Sequence, residues 1–289
     1  MQAWKRVAVS LLAVVLVVAC NQEDDRDSGP PPRDPTPSES SLVEATNTFG
    51  FDLFREVVAR AEDRDVFLSP LSVSTALAMT LNGAAGDTRT AMAGMLGLDR
   101  LPATDVNAAY QGLLDLLMHT DRQVRLQVAN SIWYRRGFTV DPLFLDLNAE
   151  FFDARVEALD FADPSAVTTI NGWVDDSTNG LIDAIIAPPI DATTMLFVIN
   201  AVYFKGSWTQ RFDASRTRTE AFHAPSGDMD VPMMHVEADL PFCESVDFRG
   251  VDLPYGRGDF RMMILLPQYG SDLETLTAAL TPENWAGRG

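Results

Sequence analysis

The sequence predicts an α+β protein in which sheets of some size carry helices on their faces. Three observations point there. Helical spacing of apolar residues dominates the N-terminal part, ending in the stripe Val106, Ala109, Tyr110, Leu113, Leu114 and Leu117. Period-two alternation then takes over, with Val124, Leu126, Val128, Asn130, Ile132 and Tyr134 on one face. Residues 195–199, MLFVI, form an unbroken apolar run, as expected of a strand covered on both faces and lying inside a sheet rather than at its edge.

At 289 residues the chain can build one large domain or two ordinary ones, and its 46% hydrophobic content suits a globular core. The net charge of -19, from 41 acidic against 22 basic residues, argues against a nucleic-acid partner, because phosphates are bound by clustered basic side chains. Its use is solubility.

Residues 1–20 have the layout of an export signal: Lys5 and Arg6, an apolar stretch over 7–18, then Ala19 and Cys20. The stretch is short for a permanent membrane span. Val17-Val18-Ala19-Cys20 resembles a bacterial lipobox, which makes Cys20 the lipid attachment residue and the membrane a partner through that anchor alone. A plain secretory signal with an incidental cysteine is the alternative. Residues 21–42, acidic and proline-rich, read as a disordered tether, with the folded domain spanning 43–289. The expected location is therefore a bacterial membrane or cell surface, reached by export and held by the lipid anchor, on the extracellular or periplasmic side.

Asn47 or Thr48 is the expected cap of the first helix, whose apolar positions are Phe51, Phe54, Val57, Val58 and Ala61. Val66-Phe67-Leu68 reads as a short buried strand. Ser69 is well placed as N-cap and Pro70 as first residue of the next helix, which runs to Leu81 and is apolar nearly all round. Asp87 is the expected cap of a helix over 88–96 that Gly97 ends. Beyond the alternating strand at 124–134 come a helix over 142–152, a strand over 155–161, and a helix from Asp163-Pro164 that stops at Asn179-Gly180. The apolar run 195–199 follows, with Asn200 in line with Leu196, Val198, Val202 and Phe204. A buried amide there must find partners elsewhere in the fold. Gly206 breaks the strand before Trp208. Two short strands at 219–222 and 229–234, a hairpin of 246–255 with 260–266, and a helix over 272–280 complete the set.

Enzyme chemistry has no foothold. There is no Gly-x-Ser-x-Gly turn, phosphate-binding glycine loop or His-Glu-x-x-His, and no cofactor is implied. His119, His223 and His235 share no ligand spacing, and Cys20 and Cys243 lie in unlike surroundings. Acidic Glu244 beside Cys243 disfavours a thiolate, which makes Cys243 structural. Arg257-Gly258-Asp259 spells a cell-adhesion tripeptide, but glycines flanking a charge are also ordinary hairpin-turn chemistry.

Four ordered stretches together resemble the serpin family of protease inhibitors: Phe67-Leu68-Ser69-Pro70-Leu71-Ser72 with Asn82-Gly83-Ala84; Ile170-Asn171-Gly172-Trp173-Val174 with Thr178-Asn179-Gly180-Leu181-Ile182; Asn200-Ala201-Val202-Tyr203-Phe204-Lys205-Gly206-Ser207-Trp208; and Val251-Asp252-Leu253-Pro254-Tyr255 with Met263-Ile264-Leu265-Leu266-Pro267. The resemblance implies a large central sheet, additional smaller sheets and a cluster of N-terminal helices. It also implies suicide-substrate inhibition of serine or cysteine proteases, in which a cleaved reactive loop enters the large sheet as a new strand. Ser69, Ser72 and Asn200 would form the polar shutter under the strands that part, and Trp208 would mark the breach where insertion begins. The family's reactive loop and terminal strands lie beyond the part resembled here, so the expectation is a C-terminally truncated member that is itself inactive. A non-inhibitory surface lipoprotein that binds a protein partner is the alternative.

Overall fold

The computed structural model describes residues 33–61, 64–224, 227–246 and 248–286. The export signal, Cys20 and the tether up to residue 32 lie outside the described residues.

The chain opens with α1 (Pro37–Ala59), whose cap lies eleven or twelve residues before the expected Asn47 or Thr48. Thr36 is its N-cap and forms a capping box with Glu39, while Pro37 supplies the preset φ of a first helical residue. The boundary of the tether is thereby corrected: Leu42, assigned to it from composition, is fully buried. Thr48, an expected cap, lies mid-helix and donates its hydroxyl to Glu44 O. Helix α2 (Pro70–Leu81) starts at Ser69, whose hydroxyl accepts from Ser72 N. Helix α3 (Gly86–Met95) has Ala85 at its cap position with no side-chain bond, and Asp87 sits in the first turn instead, where its charge suits the helix dipole. Helix α4 is Val106–His119.

Strand β1 (Val124–Arg135), helix α5 (Pro142–Phe152) and strand β2 (Arg155–Leu159) make a βαβ unit, with α5 as the crossover that parallel strands require. Helix α6 (Ser165–Ser177) ends at Asn179 and Gly180, both at positive φ. Strand β3 (Leu196–Gly206) then pairs antiparallel with β1 along its whole length, giving the order β2-β1-β3. A ribbon of β4 (Arg218–Ala224) and β5 (Gly227–Met233) follows. A second three-stranded sheet contains β6 (Phe242–Glu244), β7 (Phe248–Tyr255) and β8 (Phe260–Pro267). Helices α7 (Leu273–Ala279) and α8 (Pro282–Ala286) come last.

Three apolar clusters hold these elements together. In the largest, Leu42, Phe49, Met79, Tyr110 and Leu113 from α1, α2 and α4 meet one face of β1 and β3 through Ile132, Leu196, Val198, Val202 and Phe204. On the opposite face, Trp133, Phe161, Phe197 and Ile199 are covered by α6 through Ile170. The third joins Phe51 and Phe54 of α1 to Leu280, Leu265 and Trp285.

Strand β3 is thus covered on both faces, as its apolar run requires, yet among the described residues it is the edge of its sheet. An unbroken apolar run reports cover above and below a strand. It says nothing about which backbone lies beside it, and that is where the expectation of an interior strand fails. Residues 64–69 likewise belong to no strand ladder. Val66 and Leu68 pack inward while Phe67 is 89% exposed, so the buried strand expected there is absent from the described structure.

Candidate functional site

A chain of hydrogen bonds crosses beneath the β2-β1-β3 sheet at right angles to its strands. It starts at the first turn of α2, where Ser72 donates its hydroxyl to Asn200 Oδ1. Asn200 Nδ2 then donates to Asn130 Oδ1 at 2.7 Å, and Asn130 Nδ2 donates to Phe152 O, at the end of α5, at 2.8 Å. Asn130 and Asn200 are directly opposed in the β1–β3 register, so the chain passes from one strand to the next without leaving the sheet's inner face. Around it stand Val198, Val202 and Ile132, which keep water out.

No member of this chain ionises in the physiological range. Each contributes a neutral hydrogen bond worth about 1 kcal/mol net, with a larger penalty if a buried partner is left bare. Such a string is satisfied in one arrangement and can be satisfied in another if new donors and acceptors arrive together. That is a property an apolar seam lacks. Acid/base or nucleophilic chemistry does not follow from these groups.

Of the residues the sequence singles out, Ser72 and Asn200 are brought into contact. Ser69 is not part of the chain; its hydroxyl caps α2, accepting from Ser72 N at 3.3 Å, and so aims the helix at β3. Asn130 and the Phe152 carbonyl are additions. A signal for Asn130 is present in the sequence, since it is the one amide on the apolar face of β1. A second amide relay runs nearby: Asn107 Nδ2 donates to Asn82 Oδ1 (3.0 Å), Asn82 Nδ2 to Asn148 Oδ1 (3.2 Å), and Asn148 Nδ2 to Phe144 O (2.8 Å) and Met79 O (3.3 Å). Asn148 is fully buried. Helix α5 is therefore tied to α2 and α4 by one relay and to β1 by the other.

At the far end of β3, Trp208 stacks on Tyr255 of β7, with ring centroids 4.2 Å apart and planes 18° from parallel. Gly206 allows this, because a Cβ there would lie 2.9 Å from the Tyr255 ring. Tyr255 also meets Phe204 edge-on, and its burial raises the phenol's pKa above the usual value. Thr209 N donates to Pro254 O, and Gly256 N to Ser207 O, both at 2.8 Å.

The remaining candidates are structural. Cys243 lies half-buried on β6 against Gly250. His119, His223 and His235 stand apart, beside Asp115, Asp228 and Glu220 respectively. In the tripeptide Arg257-Gly258-Asp259, the arginine is turned inward: Arg257 Nη2 donates to Thr120 O at 3.0 Å and to Asp259 Oδ2 at 3.2 Å.

Residues 44–287 match the family model Serpin (serine protease inhibitor), and the chain belongs to the serpin family. Members of the family are inhibitors and not enzymes. The chain is 38% identical over 238 residues to an uncharacterized serpin-like protein of Thermococcus kodakarensis, covering 80% of this chain and 54% of that protein. It is 34% identical over 249 residues to human serpin B8, covering 84% and 66% respectively. Just over half of one relative and just under two thirds of the other is therefore spanned. Among solved structures, the thermophilic serpin tengpin in its latent state superposes with a TM-score of 0.77 at 29% identity, over 86% of this chain and 66% of tengpin. Emu ovalbumin gives 0.80 at 25% identity, over 86% and 69%.

Proposed function

We propose that this chain is the body of an exported, lipid-anchored serpin, attached through Cys20, whose sheet accommodates an inserted strand during suicide-substrate inhibition of serine or cysteine endopeptidases. The observation that supports the reading is the Ser72–Asn200–Asn130–Phe152 chain, a non-ionic connection beneath β3, the edge strand of its sheet among the described residues. Trp208, stacked at the exit of β3, marks the end at which a strand would enter. Trapping a protease is a property proposed for the whole protein, since the chain spans 54% of the Thermococcus relative and 66% of human serpin B8.

The test is to incubate the protein with a panel of serine and cysteine endopeptidases, then resolve the mixture by denaturing electrophoresis. The 289-residue chain alone serves as the reference. The same chain fused to the remaining C-terminal part of the Thermococcus relative should yield a complex stable in hot detergent. A fusion that folds cooperatively yet forms none with any protease would overturn the inhibitory reading and favour a partner-binding surface lipoprotein. Anchoring is checked separately, by metabolic labelling with a fatty acid in the wild type and in Cys20→Ser.

A further inference from the structure

The turn between β7 and β8 grips two other segments at once. On one side is Asp121, in the junction from α4 to β1, with a carboxylate fully removed from solvent. It accepts from Arg257 N at 2.7 Å and from Gln123 N at 2.8 Å. Gly256, at φ +52°, lies so close that a Cβ would collide with Asp121 Oδ2. On the other side, the same glycine donates its N–H to Ser207 O and accepts from Thr209 Oγ1, both at 2.8 Å. Ser207 and Thr209 flank Trp208. The start of β1 and the end of β3 are themselves neighbours, since Val124 pairs with Gly206.

We propose that Asp121 is the positioning residue of a clip, in which the Gly256–Arg257 backbone wraps a buried carboxylate and thereby fixes the exit of β3 and the Trp208–Tyr255 stack. The grip is through the backbone. Both short bonds to the carboxylate come from peptide N–H groups, and the nearest guanidinium approach, Arg257 Nε to Asp121 Oδ1, is 3.7 Å, beyond hydrogen-bond length. A carboxylate so enclosed is costly to leave bare, so the turn closes on it or the corner opens as a whole. The top of the β1–β3 seam is in this way held from the side by β7–β8, separately from the amide latch in its middle. This inference concerns the chain's own mechanics and does not depend on protease inhibition.

The experiment is amide hydrogen exchange on the full chain, with Trp208 emission isolated by subtracting Trp208→Phe spectra. Asp121→Asn retains the shape but cannot accept at both oxygens. It should speed exchange at Thr209, Gly256 and Arg257 about tenfold or more and increase acrylamide quenching of Trp208, while amides along the middle of the β1–β3 ladder change by less than about twofold. Asp121→Ala should do the same more strongly where it folds. Arg257→Ala, which keeps the peptide N–H, should change the same amides by less than about threefold. Uniform acceleration across the sheet, unchanged exchange at the three amides, or an Arg257→Ala effect equal to that of Asp121→Asn would each overturn the proposal.

Discussion

Asn130 on β1 and Asn200 on β3 face each other across the ladder, and the 2.7 Å bond from Asn200 Nδ2 to Asn130 Oδ1 joins two strands through their side chains as well as their backbones. Each amide spends its other end on a different element, Asn200 on Ser72 of α2 and Asn130 on Phe152 of α5. The pair is therefore the middle link of a four-element connection.

Asn200→Ala should destabilise the fold by about 1–3 kcal/mol, because it leaves the Asn130 carbonyl and the Ser72 hydroxyl without partners in a site with little water. In a double-mutant cycle, Asn130→Ala and Asn200→Ala should couple by about 1 kcal/mol. Urea unfolding of the three variants measures both quantities. Strict additivity would show that the two amides act independently.

Acid should loosen the start of α1. Glu39 is 4% exposed and takes a bidentate pair of bonds from Arg33, at 2.6 and 2.7 Å, and a third from Thr36 N at 2.8 Å. The hydrogen bonds from Arg33 are the largest cause holding its pKa below the ordinary 4.5, with burial opposing. A depressed folded pKa gives stability that is present above the unfolded value and lost as pH falls through the folded one. Thermal melts of wild type and Glu39→Gln should thus differ most above pH 4.5 and converge below it. A gap that stays constant down through acid pH would remove this linkage.

Gly112→Ala carries a sign that packing and propensity dispute. In an ordinary helix interior the change stabilises by about 1 kcal/mol. Here a Cβ on α4 would strike Glu39 Oε1, which accepts from Arg33 Nη2 while Thr36 N holds the other carboxylate oxygen, and Arg33 Nη2 also donates to Gly112 O at 3.2 Å. The expected outcome is a net loss of about 1–3 kcal/mol by denaturant titration. A stabilised variant would mean that the carboxylate moves aside freely.

The Arg257-Gly258-Asp259 tripeptide should not support cell attachment. Its arginine is 25% exposed at the side chain and bonded to Thr120 O, so its two charged ends are not displayed together. Surfaces coated with the folded protein should hold no more cells in the absence than in the presence of a competing Arg-Gly-Asp peptide. Heat-unfolded protein, in which the arginine is released, serves as the comparison.

Local chemistry was the legible part of this fold. Pro142–Phe152 is helical as expected over 142–152, with Asp141 as its N-cap, and Ser69 with Pro70 begins α2 as helix-start rules require. The early start of α1 was also written in the chain, as Thr36 followed three residues later by Glu39. Proline and acidic content masked it, because composition averages over a window while a capping box is a matter of two positions. What a strand lies beside was not legible. Leu196 to Ile199 announce their two covers but not their lateral neighbour, and Val66 to Leu68 read as a strand although no partner for them is present among the described residues. The three-residue strand Phe242–Glu244 is too short to show a period at all. At the candidate site, Asn200 was conspicuous as a lone amide in an apolar run. The end of its hydrogen-bond chain, a backbone carbonyl on another helix, has no side-chain signature to read.

Helix α1 has a mechanical consequence. Its 23 residues make a rod about 34 Å long. At its beginning, the Arg33–Glu39 contact ties the incoming chain to α4. Toward its other end, Arg55 Nη1 donates to Leu280 O at 2.9 Å and Phe51 meets Trp285 at 5.8 Å. Tension applied to the chain ahead of Arg33 is borne first by the paired guanidinium and carboxylate, then along the rod to the α7–α8 corner. That path also passes α2, whose Pro70 lies against Gly50 of α1 and whose Ser72 begins the amide chain, so a tug on the N-terminal side is felt at the helix end of that chain before it reaches the strands.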